Sequence, residues 1–470
     1  LKGFLEQIIL GIFLIHSAFC QENTDLPAGE VIESVICRSD SNQSYALYLP
    51  SAYTPEKLWP VIYAFDPGAR GKAPAESLSV AAEKYGYIVA GSNNSRNGPW
   101  ERAFSSLNAI SADTDERFSL DPDRIYTTGF SGGSRAAAAV AMISGQVAGV
   151  IGCGAGFSEK YPPNPVVNFV YIGLVGKGDM NYLEMHSLAV LLDRYEITNA
   201  IRVFEGGHQW PSESLFLDAL EWLEIQAMKR KQIPLNDSLI SELYHKNFKK
   251  AEQLEANQRL IEARDLFASL SRDFHGFLDV ETVRNHEERL RNLPAVLQEQ
   301  TLEEKLTGTE RELRKKYYDA LNRLDLDYYR EKVRLKTRDW WTEERQSLLR
   351  DMERAQTEEE RWMIKRVIDQ IWRNSVSRAM SYQREKLLLN AAAYLEIWTL
   401  IQPDQAYPFY VLAALLAAAD QRVHAMQALE NAYERGFHHV EMLENEPDFD
   451  SLRDMNEFRQ FKERLKNLNK

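Results

Sequence analysis

Of the 24 glycines in this 470-residue chain, 21 fall in residues 1–230 and 3 in residues 231–470. Glycine marks tight turns and close backbone approach and weakens helix interiors. The first half is therefore expected to be short elements joined by turns, and the second to be long helices. Charge follows the same division, with 43 Asp, Glu, Lys and Arg in the first 230 residues and 82 in the remaining 240. A chain that is 44% hydrophobic can bury a core, which excludes disorder as its main character. Neither half is net basic and the whole carries −13, so a nucleic-acid backbone is excluded as partner.

In the first half, apolar runs of strand length recur at Ser44–Leu49, Trp59–Phe65, Gly86–Gly91, Arg124–Gly129, Val147–Cys153, Asn168–Val175 and Ala200–Phe204. Helical stretches lie between several of them, at Glu76–Lys84, Trp100–Arg117, Ser134–Ile143, Tyr182–Tyr195 and Ser212–Lys229. Such alternation predicts a mostly parallel sheet flanked by helices. In that architecture functional residues gather at the carboxyl ends of the strands.

One strand end carries a specific motif. The run Ile125-Tyr126-Thr127-Thr128 leads through Gly129-Phe130-Ser131-Gly132-Gly133 into an Ala-rich helix. A serine between glycines at a strand-to-helix turn is the nucleophile elbow, in which a strained backbone lifts the hydroxyl clear of the sheet. The helix then aims its first N–H groups at the reaction centre, and Gly132 N–H is an oxyanion donor.

A serine nucleophile needs a base. His16, His186 and His208 are the three histidines of residues 1–230. His16 belongs to the apolar N-terminal segment and His186 lies inside a helical stretch. His208 follows the last strand on the Glu205-Gly206-Gly207 loop, so it is the expected base. Asp179 ends the run from Asn168 through Gly176-Lys177-Gly178 and is the expected acid that orients the imidazole. Glu205 is the competing acid, too close to His208 along the chain to do more than shape its loop.

Taken together, Gly129-Phe130-Ser131-Gly132-Gly133, Gly176-Lys177-Gly178-Asp179 and Gly206-Gly207-His208 resemble the α/β-hydrolase superfamily. The pattern is most similar to secreted esterases of the polyhydroxybutyrate-depolymerase and feruloyl-esterase type over roughly residues 28–230. The resemblance implies carboxylic ester cleavage through an acyl-serine, with Ser131 as nucleophile, His208 as base and Asp179 as acid, and neither metal nor organic cofactor. One departure stands out. Where the family has a His-Gly-rich turn supplying the second oxyanion N–H, this chain has Asp66-Pro67-Gly68-Ala69-Arg70-Gly71. Pro67 has no N–H, which leaves Gly68 or Ala69 as donor. Arg70 and Trp100 are expected on the same rim as substrate-binding residues, with plain packing the alternative for Trp100. The connection 154–165 leaves no space for a lid domain and holds Pro162, Pro163 and Pro165. An open site suits an ester on a bulky or polymeric carrier, and admits a small one too.

From Ser238 onward, helical periodicity dominates. Ala391, Leu395 and Trp398 recur 34 residues later as Ala425, Leu429 and Ala432, and a fainter pattern runs through Ala251, Leu254, Ala263 and Phe267. This resembles tetratricopeptide repeats, with a generic helical bundle as the alternative. Between them, Val296–Leu389 is charged and aromatic, with Tyr317, Tyr318, Tyr328, Tyr329, Trp340, Trp341, Trp362 and Trp372 expected to pack long amphipathic helices together. The expected organisation is thus 1–20 signal peptide, 28–230 α/β-hydrolase domain, 238–295 helical hairpin, 296–389 long charged helices, and 390–470 repeat-like helices that dock a protein partner or the substrate.

The signal-peptide reading rests on Lys2, the uncharged run Gln7–Cys20, and small residues Ala18 and Cys20 before Gln21. It implies a secreted or periplasmic protein, the alternatives being an uncleaved anchor or lipidation at Cys20. Cys37 and Cys153 are too few for a disulfide framework. No metal-ligand spacing or phosphate loop occurs in the sequence. Two rival functions share these residues: a serine peptidase on the same fold, and a catalytically weak domain kept as an interaction module.

Overall fold

The structure is a computed structural model that describes residues 26–324 and 331–468. The proposed signal segment and Tyr328-Tyr329 lie outside the described residues. The chain divides into two compact units, one ending at Leu302 and the other beginning at Glu303.

The first unit is built on an eight-stranded sheet: β1 (Val31–Ile36), β2 (Ser44–Tyr48), β3 (Trp59–Phe65), β4 (Ile88–Ser92), β5 (Leu120–Phe130), β6 (Gly149–Cys153), β7 (Val170–Gly176) and β8 (Asn199–Phe204). Their order is β1-β2-β4-β3-β5-β6-β7-β8. Strands β3 to β8 run parallel, while β1 and β2 form an antiparallel edge on β4. This is the α/β-hydrolase fold, with the elbow strand β5 near the centre, between β3 and β6.

Side chains alternate across the strands and generate a core on each face. On one face, Val61, Tyr63, Phe65 and Val150 pack under α2 (Trp100–Arg117), α3 (Gly132–Ser144) and α4 (Tyr182–Arg194). On the other, Ile62, Val89, Ile151 and Ile172 pack under α1 (Lys72–Tyr85) and α5 (Glu213–Lys229). Ala136 to Ala139 of α3 are all buried, and their small side chains let the helix axis approach the sheet closely.

Three further helices, α6 (Asp237–Ala256), α7 (Leu260–Phe274) and α8 (Glu281–Arg291), complete this unit. Ile240, Leu243, Phe267 and Leu270 share a third core with Ile225 and Met228 of α5. Lys246 reaches buried Glu221 at 2.6 Å and Lys250 reaches Asp218 at 3.0 Å. The 238–295 hairpin region therefore belongs to the same compact unit as the sheet. Helix α9 (Pro294–Asn322) contains the point of division.

The second unit is helical: the rest of α9, then α10 (Glu331–Arg354), α11 (Glu358–Arg384), α12 (Leu388–Ile401), α13 (Ala406–Ala418), α14 (Arg422–Glu434), α15 (Val440–Asn445), a 3₁₀ turn at Pro447–Leu452 and α16 (Asn456–Leu468). Trp341 is buried against Tyr317, and Trp372 stacks on Trp398 at 5.9 Å. These rings pack helices together. Fully buried Glu310 is held by Arg366 at 2.6 Å and by Arg314, so its charge is compensated where it lies. Ala391, Ala413, Ala425, Leu429 and Ala432 are all buried. Among the described residues, no helix is long and apolar enough to cross a membrane.

Candidate functional site

Strand β5 delivers Ser131 to the carboxyl edge of the sheet. Its backbone has φ 54° and ψ −117°, a left-handed turn that a side chain bears only under constraint. That constraint is visible on either side. A Cβ at Gly129 would lie 2.3 Å from the carbonyl of Gly133, and one at Gly133 would lie 1.9 Å from Phe65 O of β3. Ser131 N–H donates to Cys153 O at 2.8 Å and ties the elbow to β6. Gly132 opens α3, where the first N–H groups have no acceptor within the helix.

The loop after β8 brings His208 beside this serine. His208 Nε2 lies 2.8 Å from Ser131 Oγ, and Nδ1 lies 2.8 Å from Asp179 Oδ2. Asp179 is buried and its loop is fixed by several bonds. Asn181 N–H donates to Asp179 Oδ1 at 2.8 Å, Gly178 N–H to Gly206 O at 2.8 Å, and Lys177 N–H to Phe204 O at 2.9 Å. The acid loop and the base loop are thus laced together. A side chain at Gly176 would break this, since its Cβ would stand 2.5 Å from Gly206 O and Gly207 O. Glu205 pairs with Lys177 at 2.6 Å and takes no part in holding His208.

With Oδ2 accepting from Nδ1–H, the neutral imidazole presents Nε2 as an acceptor to the serine hydroxyl. The arrangement can withdraw a proton from Ser131 as its oxygen attacks, and hold the resulting imidazolium against a buried carboxylate.

The remaining expected site residues are placed differently. Gly68 N–H donates to Asp66 Oδ1 at 2.7 Å and Ala69 N–H to Asp66 O at 3.1 Å. Both N–H groups expected to serve an oxyanion are therefore turned to Asp66: its side chain takes the Gly68 donor as an Asx turn does, and its main-chain carbonyl takes the Ala69 donor as a tight turn does. Arg70 forms a two-pronged pair with Asp66, 2.9 Å at each prong, with its side chain still 64% exposed. Trp100 packs at 5.3 Å against Tyr161 and at 6.3 Å against Phe104 and remains half-buried.

Three residues beyond those expectations support the site. Trp210 donates its indole N–H to Asp66 Oδ2 at 2.9 Å, its ring lies 5.6 Å from Phe130, and Phe130 lies 4.5 Å from His208. Asn181 donates its side-chain amide to Gly154 O at 2.6 Å, joining the acid loop to the bend that follows β6. Buried Asp66 thereby joins the β3 turn to the histidine loop. Burial alone would raise its pKa, but hydrogen bonds from Arg70, Trp210 and Gly68 outweigh that and hold it below the usual carboxylate range. Asn181 stands at the N-cap position of α4, a place where asparagine is common, but its side chain makes no cap bond and its amide is used on Gly154 O instead. The Asp66–Trp210 bond joins residues 144 apart, and no local pattern marks it.

Cys37 and Cys153 are both buried and unpaired. Burial, with Asp113 nearby, pushes the Cys37 thiol up to about 11. Among the described residues, no group of three His, Cys, Asp or Glu is arranged to hold a metal ion.

No protein-family model matches the chain, and no curated protein does. Among solved structures it is similar to S-formylglutathione hydrolase from Staphylococcus aureus, at 14% identity over 42% of this chain and 96% of that one, with a TM-score of 0.33. It is also similar to the feruloyl esterase module from Clostridium thermocellum, at 15% identity over 41% of this chain and 87% of that one, TM-score 0.33. A third likeness is to esterase 2 of Thermogutta terrifontis, at 15% identity over 43% of this chain and 96% of that one, TM-score 0.34.

Proposed function

We propose that this protein is a serine hydrolase that cleaves carboxylic esters through an acyl-Ser131 intermediate. The observation that carries the reading is the continuous chain of two 2.8 Å contacts from Ser131 Oγ through His208 to buried Asp179, on a strained elbow at a helix N-terminus. In the first step Ser131 Oγ bonds to the ester carbonyl carbon, its proton passes to His208 Nε2, and the carbonyl π pair moves onto oxygen. Gly132 N–H and the amino end of α3 stabilise that charge. The oxyanion then collapses, the bond to the leaving oxygen breaks, and His208 returns the proton to the departing alcohol. Water, deprotonated by the same imidazole, attacks the acyl carbon in the mirror sequence and releases the acid.

In this reading residues 28–230 carry the chemistry, and the helical unit from 303 onward serves recognition, since it supplies none of the three reacting side chains. The span 154–169 between β6 and β7 contains no helix, which supports access by an acyl group on a bulky or polymeric carrier. The apolar run of residues 7–20 supports export from the cytoplasm. The test is turnover of p-nitrophenyl acetate. Ser131→Ala is expected to lower it to the background rate with melting unchanged, and undiminished turnover would overturn the proposal.

A further inference from the structure

An ester hydrolase of this kind needs a second donor for the oxyanion besides Gly132 N–H, and the two expected on the turn after β3, Gly68 and Ala69 N–H, are turned to Asp66. Pro67 lacks an N–H. Gly68 and Ala69 donate to Asp66, Arg70 N–H faces Asp66 Oδ1 at 3.4 Å, and the Arg70 guanidinium is paired with the same carboxylate. Trp210 N–H is spent there as well.

We infer that the side-chain amide of Asn97 is that second donor, an inference that rests on the ester-hydrolase reading above. A Cβ built on Gly132 would lie 1.8 Å from Asn97 Oδ1, 2.8 Å from its Cγ and 3.2 Å from its Nδ2. The carboxamide therefore fills the space over the Cα of Gly132, the residue whose N–H faces the reacting carbonyl. Its backbone is fixed there: Asn97 N–H donates to Pro67 O at 2.9 Å, and neighbouring Arg96 bridges to Gly68. The side chain itself is exposed and hydrogen-bonds to no other described residue, so both its donors are free for a ligand. Half a turn about χ2 exchanges Oδ1 and Nδ2, which puts an N–H where the oxygen stands. The absence of a side chain at position 132 then has a cause, because any Cβ would evict the amide. Asn97 touches the reacting oxygen and is a catalytic residue in this account.

The experiment measures p-nitrophenyl acetate kinetics and inhibition by a trifluoromethyl ketone, which forms the tetrahedral oxyanion, for wild type, Asn97→Ala and Asn97→Asp. Loss of one oxyanion donor lowers kcat by about 10²-fold or more. Asn97→Ala is expected to show that loss with KM and melting temperature unchanged, and the ketone's inhibition constant should rise in step with the fall in kcat/KM. Asn97→Asp should fall further, since a carboxylate repels the oxyanion. Wild-type turnover that Ser131→Ala abolishes but Asn97→Ala lowers less than about threefold overturns the Asn97 assignment alone. A wild type without turnover overturns the reading beneath it.

Discussion

Asp66→Asn isolates the buried charge that joins the β3 turn to the histidine loop. Asp66 is fully buried and accepts from Gly68 N–H, Trp210 Nε1 and both prongs of Arg70. Asparagine keeps the size but turns one acceptor into a donor, so one carboxamide edge must face N–H groups. Hydrogen bonds to a charged group contribute about 1.5–3 kcal/mol, and a buried donor left facing a donor costs about 1–3 kcal/mol. The Arg70 ion pair adds little, because the guanidinium is 64% exposed and such pairs contribute about 0–1 kcal/mol. The expected loss is therefore about 2–4 kcal/mol, or roughly 3–7 °C in melting temperature for a unit of this size. Because Trp210 rests on Phe130 and Phe130 on His208, kcat/KM should fall by about 10- to 100-fold, the effect of a misaligned catalytic group. Arg70→Ala is the control, and should cost less than about 1 kcal/mol.

The pH dependence carries its own sign. A carboxyl held below its ordinary value supplies stability that is complete above its unfolded pKa, about 3.9, and is lost as pH falls through the lower folded value. Wild type should thus lose this contribution only below about pH 4, and Asp66→Asn should lack that part of the acid-side slope. The measurements are melting by circular dichroism from pH 3 to 8 and ester hydrolysis at pH 7.5. Asp66→Asn that melts within 1 °C of wild type and turns over equally would show that the Asp66 charge does not hold the two loops together.

Two further outcomes follow from the geometry. Gly133→Ala would press a methyl onto Phe65 O of β3, which cannot yield, and should cost about 3 kcal/mol or more; at Gly132 the three atoms nearest an added methyl all belong to the exposed Asn97 side chain, so Gly132→Ala should melt like wild type while losing most turnover. Paired melts and ester assays decide, and similar melting of both variants would contradict the placement of these glycines. Cys37, with its pKa pushed up to about 11, and fully buried Cys153 should resist alkylation at pH 8 until denaturant is added, as peptide mapping would reveal; rapid native modification of Cys153 would contradict its position inside β6.

The parts of this site legible in the sequence were those that backbone chemistry dictates locally. Ser131 stood out because a strained turn demands glycine on both sides, and His208 because a loop after the last strand reaches where a helix-bound His186 does not. Asp179 followed from the strand before it. Strand β1 was not legible, since Glu33 and Ser34 interrupt Val31-Ile32 and Val35-Ile36 on a half-exposed edge with an irregular register. Nor was the division at Leu302, which falls inside a charged helix with no glycine or proline within five residues of it. Asp66 reads locally as a turn former before proline, and its role arises from Trp210, far along the chain. Asn97 is a loop asparagine whose meaning depends on the empty Cβ position of Gly132.

Activation of Ser131 as a nucleophile is read out by covalent labelling. Treated with a fluorophosphonate and analysed by peptide mass spectrometry, the wild-type protein should carry one adduct, on Ser131, and His208→Ala should label at least about 10³-fold more slowly. A wild-type protein that stays unlabelled, or one whose adduct lies on another residue, would contradict the account.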